Sequence, residues 1–381
     1  MSRKIRIGLI YGGKSGEHDV SLQTALAVMK AVDFTKYEIT PFYISKKGEW
    51  RSGTPHLGPI ESVEELTFSA GKDVDAPASN ALAPIFGAIQ TKGDVAISNS
   101  ANAAAEDFGL DVIFPLLHGT FGEDGTIQGL LEMANIPYVG AGVLASAVGM
   151  DKVMMKKVFA QEGLPQCIFR HFTRTEWEKN REYHLVELET AIGYPCFVKP
   201  ANLGSSVGIS KARNQDELIK AVAFAFQYDR KVIIEENIDA REIEVAVLGN
   251  DEPIASVVGE IVSSNEFYDY KAKYLDGKSA MIIPAEISEE VSDEVRALAL
   301  RAFLAVDGSG LSRVDFFLGK TDQKIYINEI NTMPGFTPFS MYPLLWKETG
   351  KPYKELLDDL IRLALERHAA KQNIQYSFDA E

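Results

Sequence analysis

Cysteine is nearly absent from this 381-residue chain: Cys167 and Cys196 are the only two, and neither stands in a CxxC or Cys/His spacing. Neither a disulfide framework nor a zinc site is indicated, and a reducing cytoplasm is expected. Positive charge is also short, with 39 Lys plus Arg against 54 Asp plus Glu and a net charge of -15. Such a surface opposes nucleic acid and anionic membranes, which leaves small molecules as the expected partners. No apolar run is long enough to span a bilayer. The opening MSRKIRIGLIYGG breaks at Gly12-Gly13 before its apolar stretch could serve as a signal sequence. What is abundant is core material: 46% of residues are hydrophobic, enough for two or three domains.

The most informative stretch is residues 312–336, SRVDFFLGKTDQKIYINEINTMPGF. Two β-branched and aromatic runs flank the turn formers of 319–323, which predicts a hairpin. Side chains alternate along a strand, so Arg313 and Asp315 share one face of the first strand, as do Glu329 and Asn331 on the second. Two carboxylates and an amide can converge there. Oxygen-only sets suit hard cations, and Mg²⁺ is typically held by one or two carboxylates plus substrate phosphates. A solvated edge hairpin would explain Asp315 alone, but not the whole set followed by Gly335.

The N-terminal stretch reads as strand 5–10, a glycine-rich turn and a helix with Leu22, Ala25, Leu26 and Met29 on one face, an α/β opening. Gly8 to Ser15 matches the pattern GxxxxGKS literally, but Gly8 sits mid-strand, where no phosphate loop can form. A second strand is expected over 37–44, and about 50–110 reads as a variable insertion without chemistry. The strand from Asp111 ends on His118-Gly-Thr-Phe-Gly, a loop position where open α/β sheets bind ligands. A helix from Asp151 has Met150, Met154 and Val158 at spacing four, and its Lys152, Lys156 and Lys157 are solvated by default.

A second signal follows at Lys199, carried by a strand into the loop Gly204-Ser205-Ser206-Val-Gly208. Backbone N–H groups and hydroxyls of such a loop can surround phosphate oxygens while a lysine supplies charge. The strand after it ends in Glu235 and Glu236, either plain surface or contacts for an adenine and a ribose. Residues 266–274, aromatic and basic, read as a lid that brings Lys273 to phosphates and excludes water, with a buried connector as the bland alternative. Apolar stripes at Val291, Val295, Leu298 and Ala302, and at Leu356, Leu357, Leu360 and Leu363, predict two helices over the last domain. The tail beyond His368 reads as frayed.

Together, GGKSGEHDVSL, LLHGTFGEDGTIQG, FVKPANLGSSVGISK, FYDYKAKY, SRVDFFL and NEINTMPGFTPFSMYP resemble the D-alanine:D-alanine ligase family of the ATP-grasp superfamily, from Ile5 to about His368. The resemblance implies a mixed α/β fold of three domains: 1–140 with an open parallel sheet, 141–238 with the phosphate loop, and 239–368 with the lid and metal site, then a tail over 369–381. It implies that Glu17 and His118 hold the first D-alanine, with Ser205 and Tyr274 hydrogen-bonded to Glu17. Lys152, Lys199, Ser206 and Lys273 match phosphate ligands, Glu235, Glu236 and Ile238 the adenine hinge, and Glu242 the ribose contact. Asp315, Glu329 and Asn331 match the ligands of two Mg²⁺ or Mn²⁺ ions. Arg313 and the Gly335 backbone match oxyanion stabilisers, and Ser340 and Met341 the site for the second substrate's carboxylate.

The implied reaction phosphorylates one D-alanine carboxylate with ATP, and the amine of a second D-alanine then displaces phosphate to give a peptidoglycan precursor. A homodimer is the family expectation. Glu236 stands where some members carry lysine, and Met341 where some carry leucine. Tyr274 favours an amine over D-lactate as second substrate. The rivals are a D-alanine:D-lactate or other dipeptide-type ligase, a P-loop switch built on Gly13, Lys14 and Ser15, and a non-catalytic ATP-binding regulator.

Overall fold

The structure is a computed structural model and describes residues 3–68, 109–204, 207–262 and 280–375. The chain divides into two compact units, one of Met1–Gly140, Gly335–Ser340 and Pro352–Glu381, the other of Ala141–Pro334 and Met341–Lys351.

In the first unit β1 (Ile5–Gly12) runs parallel to β2 (Tyr37–Ile44) on one side and to β4 (Val112–Pro115) on the other. The short β3 (Trp50–Ser52) closes the far edge of β2 antiparallel, giving the order β3-β2-β1-β4. Ile7, Leu9, Ile10 and Tyr11 are all buried, so both faces of β1 are covered, as parallel strands require. The helices α1 (His18–Ala31) and α2 (Thr126–Met133) follow β1 and β4. Gly8 lies inside β1, where a Cβ would stand 2.5 Å from the Ile113 side chain. Its smallness serves strand packing, and the GxxxxGKS match has no loop to act through.

Part of the stretch read as an insertion belongs to this unit's fold. β3 pairs with β2, and the Tyr11 hydroxyl donates to the carbonyl of the buried Leu66 at 3.0 Å. Residues 69–108 lie outside the described residues.

The second unit opens with α3 (Val143–Met150) and α4 (Lys152–Gln161). Its first sheet, in the order β5-β8-β6-β7, is built from β5 (Phe169–Thr173), β6 (Cys196–Pro200), β7 (Ser210–Ala212) and β8 (Lys231–Glu236), every pair antiparallel. α5 (Arg174–Ala191) and α6 (Gln215–Ala225) supply Trp177, Leu185, Leu218 and Val222 to its core.

The second sheet, in the order β11-β10-β9-β12-β13, is also antiparallel. Its strands are β9 (Ala240–Gly249), β10 (Ile254–Val262), β11 (Ala280–Ile282), β12 (Gly310–Gly319) and β13 (Ile325–Asn331). A separate core joins Val245, Val314, Phe316, Ile327 and Ile330 of this sheet to Met155 and Phe159 of α4 and to Val295 and Phe303 of α7 (Glu289–Ala305). α8 (Met341–Glu348) belongs to this unit too, its Tyr342 hydroxyl donating to the Val247 carbonyl at 3.0 Å.

Three expectations need correcting. The buried face of α4 is Val153, Met155 and Phe159 rather than Met154, which is 45% exposed. The helix bearing Leu356 to Leu363, α9 (Tyr353–Gln372), folds with the first unit and not with the hairpin. An apolar stripe shows that a helix covers something, but not which sheet. Nor does the chain fray at His368: α9 continues to Gln372, and Lys371 pairs with Glu132 at 2.5 Å.

Candidate active site

In the first unit the sequence-predicted residues gather at the C-terminal ends of β1 and β4. The chain leaves β1 toward β2 on one side and enters β4 on the other, so this is the point where strand order reverses and a crevice opens. Gly12, with φ of +93°, makes the turn; a Cβ there would lie 2.1 Å from the Ile44 carbonyl oxygen. Ser15 Oγ donates to the His118 carbonyl at 2.7 Å and accepts from the Glu17 N–H at 3.2 Å, which ties the two loops together. Glu17 is the N-cap of α1, where the helix dipole favours its charge. A Cβ at Gly119 would meet the Glu17 carboxylate at 2.7 Å, so that loop must be glycine for the carboxylate to lie along it.

His118 is 3% exposed, with Nε2 3.1 Å from Thr24 Oγ1 and Nδ1 3.5 Å from Glu123 Oε1. Glu123, which sequence reasoning did not single out, also accepts from the Gly119 N–H at 3.0 Å. Burial pushes its carboxyl above the usual range, with Glu17 adding in the same direction and His118 opposing. Gly335 and Ser340 fold with this unit as well. Ser340 Oγ accepts from the Thr337 N–H at 3.1 Å and lies 2.8 Å from its hydroxyl.

In the second unit β12 and β13 pair with Arg313 opposite Asn331 and Asp315 opposite Glu329. All four side chains therefore lie on the sheet face opposite Val314, Phe316 and Ile330. A β-bulge sets this phase: Asp315 pairs with Glu329 but Phe316 pairs with Ile327, leaving Asn328 as the extra residue. The Arg313 guanidinium grips Asp315 through two bonds of 2.7 Å and meets Glu244, on β9, at 3.0 Å. Burial disfavours that cation, but Asp315, Glu244 and Glu329 outweigh it and raise its pKa further. Asn331 Nδ2 donates to Asp315 Oδ2 at 3.0 Å.

The lysines depart most from expectation. Lys156 is 1% exposed and Lys152 9%, whereas Lys157 is solvated as expected. Lys152 Nζ donates to the Leu203 carbonyl at 2.8 Å and lies 3.6 Å from Glu329 Oε2. It thereby joins the entry of the glycine-rich loop to the acidic hairpin. Lys199 Nζ is 2.5 Å from Glu235 Oε2, and Lys156 Nζ is 3.1 Å from Glu235 Oε1. Burial alone would raise the Glu235 carboxyl, but the two ammonium groups push it down to about 2.

The Glu235 side chain is thus committed to lysines, and any adenine contact at this strand end falls to backbone. Glu236 is committed similarly, its carboxylate accepting from the Ile168 N–H at 2.7 Å. Ile238 lies just past β8 and Glu242 within β9. Met341 opens α8 with its side chain buried, its sulfur close enough that a Cβ at Gly259 would approach to 2.9 Å. Only its first-turn N–H could serve a carboxylate. Ser205, Ser206, Lys273 and Tyr274 lie outside the described residues.

Residues 6–141 match the family model for the D-ala D-ala ligase N-terminus, and residues 158–362 the model for the D-ala D-ala ligase C-terminus. The chain belongs to the D-alanine–D-alanine ligase family. Within it, the chain is 58% identical to the D-alanine–D-alanine ligase of Bacillus cytotoxicus, over 98% of this chain and 99% of the relative. The ligase of Geobacillus thermodenitrificans is 55% identical over 99% and 100%. Among solved structures, the D-alanine-D-alanine ligase of Coxiella burnetii superposes with a TM-score of 0.76 at 34% identity, covering 97% of each chain. The VanG D-Ala:D-Ser ligase of Enterococcus faecalis gives 0.77 at 35%, covering 95% of this chain and all of that one. The mixed α/β architecture is that of ATP-grasp ligases, and the family uses ATP. Within this ligase-family chain, three charged groups went unnoticed as site residues: Lys156, Glu123 and Glu244. Only Glu123 carried a signal, its place in the motif around His118.

Proposed function

We infer that the chain joins two D-alanine molecules to D-alanyl-D-alanine, converting ATP to ADP and phosphate by way of phosphoryl transfer to a carboxylate, in support of peptidoglycan synthesis. The observation that carries this reading is Lys152, which reaches both the glycine-rich loop and Glu329 of the hairpin. One cation thereby links a phosphate cradle to a carboxylate pair, the arrangement phosphoryl transfer to a carboxylate needs.

Lys152 and Lys199 would face the phosphates, with Ser206 and Lys273 as further ligands. The backbone from Glu235 to Ile238 would take the adenine, and Glu242 the ribose. Asp315, Glu329 and Asn331 fit Mg²⁺ or Mn²⁺. They are oxygen donors on one sheet face, and the Asn331 amide, donating through nitrogen, keeps its oxygen as a ligand. When bound, such ions neutralise charge on the phosphoryl oxygens.

Glu17 would hold the ammonium of the first D-alanine, with His118 beside it and Ser205 and Tyr274 completing the set. A carboxylate is a poor acyl donor until its oxygen can leave, so its phosphorylation comes first. The second D-alanine's amine then attacks the acyl phosphate. Arg313 and the Gly335 N–H would stabilise the oxyanion, and Ser340 with the Met341 N–H would orient the second carboxylate. The three-domain division, a homodimer and a cytoplasmic location belong to the same proposal. The separate cores of the two sheets in the second unit support a three-part division, though with α3 and α4 in the core of the second sheet and α9 in the first unit rather than at the bounds 141–238 and 239–368; no described helix is long and apolar enough to cross a membrane.

Phosphate release from MgATP with D-alanine alone, or with D-alanine plus D-serine or D-lactate, tests the reading when products are identified by mass spectrometry. Release with D-alanine alone and formation of D-alanyl-D-alanine is expected. Preferential formation of a mixed product would overturn the choice of second substrate, and no release at all would overturn the activity.

A further inference from the structure

Glu235 needs one buried cation to balance it and has two. Lys199 takes one carboxylate oxygen at 2.5 Å and Lys156 the other at 3.1 Å. Both lysines are buried, and burial of a surplus ammonium is costly unless something uses its charge. Lys156 cannot use its own. At 1% exposure it has Cys167 Sγ at 3.6 Å and the Phe169 ring at 5.8 Å as its other neighbours, and no route to a ligand. Lys199, on β6, leads into the glycine-rich loop.

We propose that Lys156 is a positioning residue for the nucleotide: it offsets the Glu235 carboxylate so that the positive charge of Lys199 remains available to the phosphates of ATP. The inference rests on the reading of Lys199 as a phosphate ligand. Two ammonium groups and one carboxylate leave the triad at one net positive charge. Without Lys156 the same carboxylate cancels Lys199, and an approaching polyphosphate meets a neutral pair.

Calorimetric titration of the full chain with ADP and with adenosine, without divalent cation, tests this. Lys156→Met is expected to weaken ADP roughly tenfold, the order of one partly screened charge contact, and to leave adenosine unchanged. Lys156→Met combined with Glu235→Gln restores the net charge and should restore ADP affinity. Unchanged ADP binding in Lys156→Met, or equal loss of ADP and adenosine, overturns the proposal in favour of a structural role. If the single variant does not fold, the double variant still decides, because it buries no unpaired carboxylate; weak ADP binding there overturns the proposal. Lys199→Met separates the two layers. Loss of ADP affinity supports the underlying reading, and unchanged affinity sinks that reading whatever Lys156 does.

Discussion

The two units place charge in different parts of their sheets. In the first, the parallel strands are covered on both faces, and Glu17, His118 and Glu123 collect where the strands end. In the second, α3, α4 and α7 pack against one face of an antiparallel sheet, and Arg313, Asp315, Glu329, Asn331 and Glu244 occupy the other. The difference extends to partners. In the first unit the loops are tied by main-chain bonds, Ser15 to the His118 carbonyl and the Gly119 N–H to Glu123, with the His118 ring set between the Thr24 and Glu123 side chains, whereas the groups on the second sheet are fixed mainly by one another. The backbone ties of the loop site would survive loss of the Glu17 side chain, while loss of Asp315 removes the partner of both Arg313 and Asn331.

Substitutions should sort by that contrast. Asp315→Asn removes a proposed cation ligand and the main partner of Arg313, and is expected to lower kcat by on the order of a hundred- to a thousandfold, measured as phosphate release at saturating substrates. Glu17→Gln should raise KM for D-alanine roughly ten- to a hundredfold, the loss of a charged contact, while leaving the ADP dissociation constant alone. A change in ADP binding would break the contrast between the units.

The pH dependence of stability sharpens it further. The Glu235 carboxyl lies at about 2, well below its ordinary 4.5, so its contribution is complete above about 4.5 and drains away as pH falls toward 2. Urea midpoints followed from pH 5 to 2 should fall, and Glu235→Gln should flatten that slope while lowering stability at pH 7. Smaller still, Lys371→Ala at the half-exposed pair with Glu132 should cost less than about 1 kcal/mol by urea denaturation. Lys14→Ala, in the accidental GxxxxGKS match, should leave ATP-dependent ligation unchanged.

The same contrast explains what was legible in the sequence. The hairpin could be read because strand alternation converts order directly into facing: Arg313 shares a face with Asp315, and Glu329 with Asn331, by period two, while the bulge at Asn328 sets which face the second pair takes. His118 was legible only through the glycine loop that follows it. Lys156 was not legible, because on a helix a lysine is assigned to water by default, and what overrides the default is a carboxylate 79 positions later on β8, at Glu235. The face of α4 was misread for a related reason, since Met154 and Met155 are chemically alike and only packing distinguishes them. The docking of α9 on the first unit is a long-range fact with no local trace.

The bulge at Asn328 works like a reading frame. Ile325 and Ile327 point into the core; in an unbroken strand position 329 would follow them there, and position 331 after it. One extra residue shifts the count, so that the next inward position is Ile330 and the two polar ligands emerge on the opposite face. Deleting Asn328 would therefore be a trim, leaving Ile325, Ile327 and Ile330 inward and Glu329 and Asn331 outward in plain alternation, whereas flattening the bulge with Asn328 kept would turn Glu329 and Asn331 inward and Ile330 outward. The spacing of isoleucines at 325, 327 and 330, two and then three, is the written trace of that frame.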